Sequence, residues 1–134
     1  MEDRPVSGTL AAEDLRAALM SRPGVIEDTP FGPGVLVYKL MGRMFALTSA
    51  TGVDRVSLKC DPHLSEILRE TFAGIIPGYH LNKRHWITVS LTSDVPAEEV
   101  LRLVGHSWDL VRAALPRKLK VELEGLCGPQ GPVV

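Results

Sequence analysis

The sequence predicts an α+β fold of two layers, in which helices pack on one face of an antiparallel β-sheet. The first observation is the order of its patterns, which run helix, three or four strands, helix, strand, helix. The second is a pair of runs rich in β-branched and aromatic residues, joined by only a few residues as in a hairpin. Together they indicate an open sheet that is covered by helices on one side.

The length of the chain, 134 residues, suits one domain with its own core. We place this domain at residues 1–118 and expect residues 119–134 to be a short, partly mobile tail, since that end is rich in glycine and proline. No apolar run approaches the ~20 residues of a membrane span, and the first residues lack the pattern of a signal peptide. We therefore expect a cytoplasmic protein with no membrane partner.

The charge of the chain is small but unevenly distributed. The net charge of −1 does not single out a nucleic-acid partner, which usually prefers a basic domain. Residues 1–30 hold three arginines against six acids, whereas residues 31–90 hold seven basic side chains against four acids. The middle of the chain is therefore moderately basic.

The first elements are one helix and a group of strands. Apolar residues recur at helical spacing from Thr9 to Met20, and Ser7 or Thr9 is placed to cap the helix. It stops at residues 22–24, because the proline there disfavours helix in the residue before it. The pattern then changes to a period of two. It predicts strands at residues 25–28, 35–40, 44–48 and 55–59, with residues 41–43 as the tight turn of a hairpin.

The start of the second helix is marked by Asp61 and Pro62. Asp61 can accept from unpaired amides as the N-cap, and proline at the first helical position loses no needed donor. This helix fades at residues 71–74. A loop is predicted next, followed by a strand at residues 85–91.

The last long helix is predicted from Pro96 to about Leu115, with Ser93 or Asp94 as its cap. Pro116 ends it, because proline cannot continue a helix. The tail is expected to add one short helical turn or a strand.

The segment IIPGYHLNKRHW, residues 75–86, concentrates most of the reactive and charged side chains near one point. Lys83 and Arg84 can pair with phosphates, and the rings of Tyr79 and Trp86 can stack on bases. The alternative interpretation is a loop whose basic side chains point into water. The sequence leaves both interpretations open.

Catalytic and metal sites have no support in the sequence. The four histidines and the cysteines Cys60 and Cys127 do not follow a zinc spacing, and the two cysteines are expected to be reduced. There is no G-x-S-x-G nucleophile motif and no glycine-rich phosphate loop. Nothing at Cys60 favours a thiolate. We therefore expect a protein that is not an enzyme and that needs no metal or cofactor.

Three runs resemble the MmcQ/YjbR family: RVSLKCDP at residues 55–62, GIIPGYHLNKRHW at residues 74–86 and HSWDLVRAALPRK at residues 106–118. The opening segment at residues 23–47 is also similar to that family, so that the resemblance extends over about residues 9–118. It implies a CyaY-like α+β fold, and a DNA-binding role in which hairpins act as a double wing. It implies no catalytic residue.

The resemblance supplies the matched motif positions, and the chemistry of each residue suggests its role. Pro77-Gly78 would form a turn, Tyr79 and Trp86 would anchor the loop, and Asn82 would bond backbone groups. The iron binding of the similar frataxins is not expected, since Glu13 and Asp14 are the only acids in the first helix. The candidate contacts to double-stranded DNA are Arg43, Arg55, Lys59, His80, Lys83, Arg84 and His85.

Two other functions stay open at this point. An open antiparallel sheet can receive a peptide or a second copy of the chain, so the alternative is a protein-interaction or chaperone-like module that uses the sheet and the loop between Tyr79 and Trp86. A pocket near Tyr79, His80 and His85 would instead favour an enzyme that acts on a small molecule.

Overall fold

The structure, a computed structural model, describes residues 10–127 of the chain. Its helices are α1 (Ala12–Met20), α2 (Pro62–Thr71), α3 (Ala97–Ala114) and α4 (Arg117–Cys127). Its strands are β1 (Val25–Asp28), β2 (Val35–Leu40), β3 (Arg43–Ser49), β4 (Arg55–Lys59), β5 (Ile75–Pro77) and β6 (Trp86–Ser90). They form an antiparallel sheet in the order β1-β2-β3-β4-β6-β5, which confirms the predicted α+β fold.

Four local features differ from the sequence prediction. Residues 75–77, predicted as loop, form the edge strand β5, which is too short to show a periodic pattern. Helix α1 begins at Ala12 without a side-chain cap, and the proposed caps Ser7 and Thr9 lie outside the described residues. Helix α3 likewise has no side-chain cap. Asp94 instead accepts from the backbone amides of Ala73 and Gly74, at 2.8 Å each, and so ties α2 to β5.

The C-terminal segment is a longer helix than the sequence suggests. Helix α4 has 11 residues, and its Leu123 is 1% exposed within the core. Leu123 packs against Gly24, where an added Cβ would lie 2.7 Å from Cδ1 of the leucine. The glycine- and proline-rich end at residues 128–134, predicted to be mobile, lies outside the described residues.

The register of the strands separates two faces of the sheet, because directly paired residues share a face. One row across the sheet runs through Tyr38, Ala46, Leu58 and Ile87, all of which belong to the core beneath the helices. The next row belongs to the opposite face, which we call the open face. It consists of Val37, Leu47, Ser57, Thr88 and Ile76.

A β-bulge in β3 changes which of its residues point to the core and which to the open face. Tyr38 pairs with Ala46 and Lys39 pairs with Met44, so Phe45 has no partner of its own in β2. Phe45 and Ala46 therefore both enter the core, each with no exposed area. Met44 and Leu47 on either side of them are left to the open face.

Ser107 of α3 connects the helix layer to the centre of the sheet. Its hydroxyl donates to the backbone oxygen of Phe45 at 2.6 Å and accepts from the backbone amide of Lys59 at 2.9 Å. Two residues after Lys59, Asp61 donates its backbone amide to Nε2 of His106. The side chain of Asp61 caps α2 by accepting from the amide of Leu64. These bonds hold the carboxyl end of β4, which borders the loop before β6.

Replacing Ser107 by alanine should remove both bonds and leave two buried backbone groups without partners. We expect the free energy of unfolding to fall by about 1–3 kcal/mol, measured by urea denaturation. Ser65→Ala is the matched control, because Ser65 is equally buried but bonds to Arg69, whose side chain reaches water. An equal loss in both variants would contradict the role given to Ser107.

The contacts of Glu27 in β1 with Arg16 in α1 predict that the stability of the fold depends on pH. Arg16 donates two bonds of 2.8 Å to Glu27, and Tyr38 donates a third of 2.7 Å. The bond from Arg16 is the main cause that lowers the pKa of Glu27. This stabilisation is therefore complete above the pKa of an unfolded glutamate, about 4.3, and is lost as the pH falls through the lower folded value.

Glu27→Gln should accordingly make the free energy of unfolding less dependent on pH between about pH 5 and about pH 2. Denaturant titrations at several pH values measure this slope. Glu66→Gln serves as the control, because Glu66 is exposed on α2 and forms no salt bridge among the described residues. A wild-type slope in Glu27→Gln would contradict the assignment.

Candidate binding face of the sheet

The connection between β5 and β6, which we call the β5–β6 loop (residues 78–85), folds back over the open face. The amide of Tyr79 donates to Oγ1 of Thr88 at 2.9 Å, and the same oxygen lies 2.8 Å from Oγ of Ser57. Thr88 is only 2% exposed, although no helix covers this face at that point. The loop therefore takes the place of a helix over β4 and β6.

The shape of the β5–β6 loop is fixed by its own polar groups. Gly78 donates its amide to the backbone oxygen of Trp86 at 2.8 Å and accepts from Nζ of Lys83 at 2.7 Å. Oδ1 of Asn82 accepts from the amides of Arg84 and His85, at 2.9 and 3.2 Å, in a local turn. Asn82 thus bonds backbone groups, and the ammonium group of Lys83 donates to the backbone of its own loop.

Gly78 is required by a close approach of two chain segments. A Cβ at this position would lie 2.6 Å from the Cβ of Trp86 and 3.1 Å from its backbone oxygen. The obstacle is in part backbone, which cannot move without breaking the bond between the two residues. Only glycine therefore lets the β5–β6 loop turn back at this point.

A cationic and aromatic cluster forms where the loop meets β4. The guanidinium of Arg55 lies 4.4 Å from the ring centre of Tyr79, and the ring of His80 lies 4.0 Å from that of Tyr79 at an interplanar angle of 53°. Next along the same face, Nζ of Lys59 lies 5.9 Å from the ring centre of Trp86. Tyr79 is 48% exposed, whereas Trp86, the first residue of β6, is 6% exposed and is covered by the loop.

The other predicted contacts have different positions. Arg84 and His85 are exposed in the β5–β6 loop beside Lys83. Arg43 lies apart from all of them, because it pairs with Leu40 of the core and so belongs to the helix side at the end of β3. The structure thus brings Arg55 and His80 together around Tyr79 and places Lys59 at the other end of β4 on the same face, against Trp86, while Arg43 lies on the opposite side.

The charged side chains of the β5–β6 loop itself are all basic. Residues 71–93 contain Lys83, Arg84 and two histidines but no aspartate or glutamate. On the open face, Asp28 of the distant strand β1 is already paired with Lys39 at 3.2 Å. Arg55, Lys59 and Arg84 form no salt bridge among the described residues. Asp54, which precedes Arg55, lines a small hollow of this face together with Arg55 and Thr88. An anion would therefore meet little repulsion over the β5–β6 loop itself, and more beside Asp54.

A groove of about 470 Å³ lies between the β5–β6 loop and the β2–β3 hairpin. Sequence reasoning missed most of its lining, although the apolar residues that alternate with the core positions of β2 and β3 were a usable signal. The apolar part of the lining consists of Phe31, Val35, Met44, Leu47 and Leu81, and the polar part includes Ser57, Arg55, Tyr79 and His80.

His80 has an unusual backbone conformation. Its φ is +60°, in the left-handed region that side chains other than glycine seldom adopt. The bonds of Gly78, Asn82 and Tyr79 on both sides hold it there. Strain of this kind persists only where the surrounding structure imposes it, and it is concentrated at functional sites.

Other reactive groups are poorly placed for chemistry. Burial raises the pKa of the Cys60 thiol to about 11, so that the thiol is protonated at neutral pH. Among residues 10–127 no three histidine, cysteine or acidic side chains are grouped as a metal site would require. Within the same range, no helix has both the length and the apolar composition to cross a membrane.

Comparison with known proteins gives a consistent result. The YjbR family model matches residues 20–110. The uncharacterized protein YbdF of Escherichia coli O157:H7 is 41% identical over 91 residues, which are 66% of this chain and 74% of YbdF. The uncharacterized protein YjbR of E. coli K12 is 31% identical over 118 residues, which are 85% of this chain and all of YjbR. In the crystal structure of Deinococcus radiodurans protein DR2400, a DUF419 domain, the TM-score is 0.79 at 39% identity, with 86% of this chain and 88% of that chain covered.

Gly78→Ala tests the folding back of the β5–β6 loop. The added methyl group should push the loop away from Trp86 and lower the free energy of unfolding by about 1–3 kcal/mol. The amide of Tyr79 should exchange with solvent faster, because its bond to Thr88 is lost; hydrogen exchange followed by NMR measures this rate. Gly34→Ala is the control, since its Cβ would meet no atom within 4 Å. Unchanged exchange at Tyr79 in Gly78→Ala would show that the loop does not depend on this contact.

Proposed function

The chain belongs to the YjbR family, and from that premise we propose that it is a DNA-binding protein that holds phosphates on the β5–β6 loop and the adjoining open face. One observation carries the proposal. Arg55 lies unpaired against the exposed ring of Tyr79, and Lys59 lies unpaired on the same face, whose covering loop contains no acid. The proposed activity is binding without catalysis, in keeping with the buried, protonated thiol of Cys60.

The charges available set the expected affinity. Arg55, Lys59 and Arg84 have no carboxylate partner among the described residues, and unlike Lys83 none of them donates a side-chain hydrogen bond within the β5–β6 loop. Three phosphate contacts should give modest affinity, with log K falling against log salt at about −0.9 per contact on duplex DNA. The net charge of −1 adds no general attraction for the polyanion.

The geometry changes the roles of two residues from the sequence hypothesis. Lys83 supports binding indirectly, because its ammonium group holds Gly78 and shapes the β5–β6 loop. Arg43 lies on the helix side at the end of β3 and is left out of the proposed interface. Tyr79, whose ring is half exposed against Arg55, is the side chain available to stack on an unpaired base. Trp86 is too buried for that role.

The test is fluorescence anisotropy of a labelled duplex and of the matching single strand, titrated at low and physiological salt. We expect binding to weaken with salt. Lys59→Ala/Arg84→Ala should bind the duplex more weakly and with a salt slope shallower by about 1.8, since two contacts are lost. Tyr79→Leu should weaken binding of the single strand more than that of the duplex.

The matched control is Arg112→Ala/Lys118→Ala, which removes the same charge from exposed positions of α3 and α4. It should leave the salt slope unchanged. Equal effects of the two double variants, or no binding at about 50 µM protein in low salt, would reject the proposal, because even non-specific DNA binding lies within that range.

A second candidate, binding of a protein partner, is favoured by one observation. Three large apolar side chains of the open face and its rim are exposed: Ile26 by 59%, Phe31 by 64% and Ile76 by 43%. Pairing of sheet edges is a weaker basis, because the edge strand β5 has three residues and ends in Pro77, which has no amide to donate. A homodimer through this face would appear in sedimentation of the wild type and be lost in Phe31→Ser.

A further inference from the structure

The groove beside the β5–β6 loop has the dimensions of a small-molecule site. Its volume of about 470 Å³ lies within the range of roughly 300–1,000 Å³ that is typical of such sites. Its apolar floor consists of Val35, Met44 and Leu47, which alternate with the core residues of the β2–β3 hairpin. Leu81 and Phe31 extend the same surface from two connections. Neither Arg84 nor Lys59 lines the groove, so it is separate from those two proposed phosphate contacts.

The polar groups of the groove include a permanent cation. Arg55 contributes its guanidinium, and His80 and Tyr79 stand beside it in ring contact with each other. The hydroxyl of Ser57 also lines the groove but is already bonded to Thr88. An apolar cavity with one charged group at its rim is the usual arrangement for a ligand with an apolar body and one ionic group.

The positive charge of Arg55 indicates that the ionic group of the ligand is an anion. Arg55 forms no salt bridge among the described residues, and its guanidinium lies over the face of the Tyr79 ring, which leaves its N–H donors available. A guanidinium pairs with a planar carboxylate through two parallel bonds. One permanent cation balances one negative charge, so a carboxylate suits this rim better than a doubly charged phosphate.

The strained backbone of His80 supports a binding role for this rim. The left-handed conformation directs the β5–β6 loop so that the rings of His80 and Tyr79 meet at the groove. Glycine would adopt this backbone without strain. The presence of histidine instead is accounted for if the imidazole contacts the ligand.

We infer that the groove binds a small monocarboxylic acid with an aromatic or similarly bulky apolar body, whose carboxylate pairs with Arg55 and lies beside His80. The body rests on Met44 and Leu47. The inference does not depend on DNA binding, because the apolar floor and the position of Arg55 against Tyr79 carry it. Arg55 is shared with the proposed DNA contacts, whereas Lys59 and Arg84 do not line the groove.

The test is a titration of ¹⁵N-labelled protein with 2-naphthoate, followed by ¹H–¹⁵N NMR, with neutral 2-naphthamide as the matched ligand. We expect saturable shifts of groove amides such as those of Leu47 and Leu81. The amide should bind at least about tenfold more weakly, because it lacks the charge-assisted bonds to Arg55. A second arm uses 2-naphthyl phosphate, which should bind no more tightly than the carboxylate.

Three variants separate the parts of the site. Arg55→Gln should weaken 2-naphthoate by about tenfold but leave 2-naphthamide unchanged. Leu47→Trp should fill the groove and abolish binding of both compounds, without changing the anisotropy of labelled DNA. His80→Gly should bind 2-naphthoate more weakly while its Tm stays equal or rises, since the backbone strain is relieved. Arg112→Gln, an exposed arginine of α3, is the control and should bind as the wild type does.

Several results would overturn the inference. One is equal affinity for the carboxylate and the amide, and another is tighter binding of the phosphate. Undiminished binding by Arg55→Gln would also refute it, and this variant keeps the test decisive even if Leu47→Trp does not fold. The DNA assay is run on the same variants. Leu47→Trp should lose acid binding alone and Lys59→Ala/Arg84→Ala should weaken DNA binding alone, whereas Arg55→Gln should weaken both, so that failure of one proposal is distinguishable from failure of the other.

Discussion

Helices cover one face of the sheet and leave the other to the connections between strands, and most features of the molecule follow from this asymmetry. On the helix side, the row from Tyr38 to Ile87 is wholly buried in the core. On the open face, Thr88 is buried because the β5–β6 loop folds over it and supplies the amide of Tyr79 as a partner. A buried hydroxyl without such partners would cost stability. The loop is thus both a cover for the sheet and one wall of the groove beside it.

The fold could be read from the sequence because the core leaves a periodic mark on each long element. Alternation identified β2, β3 and β4, and the Asp61-Pro62 pair located the start of α2, where the amide of Leu64 donates to Asp61. The edge strand β5 was not predicted, because its three residues cover less than two periods of the strand alternation. Asp94 was misread as a helix cap because a sequence shows an acceptor but not which amides reach it.

The site was only partly predictable, for a related reason. The sequence shows which residues carry charge, but the use of each charge depends on distant parts of the chain. Lys83 bonds to Gly78 within its own loop, and Arg43 is turned to the helix side by the register of β3. The contact of Arg55 with Tyr79 joins residues 24 positions apart through the pairing of β4 with β6. The groove depends on the bulge at Phe45, which no local pattern announces.

Both proposed ligands meet at Arg55, so their binding would be thermodynamically linked. A carboxylate paired with Arg55 neutralises one of the cations that phosphates would use, and DNA on the same guanidinium weakens the acid by the same factor. Gly78 and Lys83 contribute to both equilibria without touching either ligand, because they hold the loop that carries Tyr79 and His80. On a face that no helix covers, the loop that completes the sheet thus positions the rings around Arg55, the residue at which the two proposed ligands would compete.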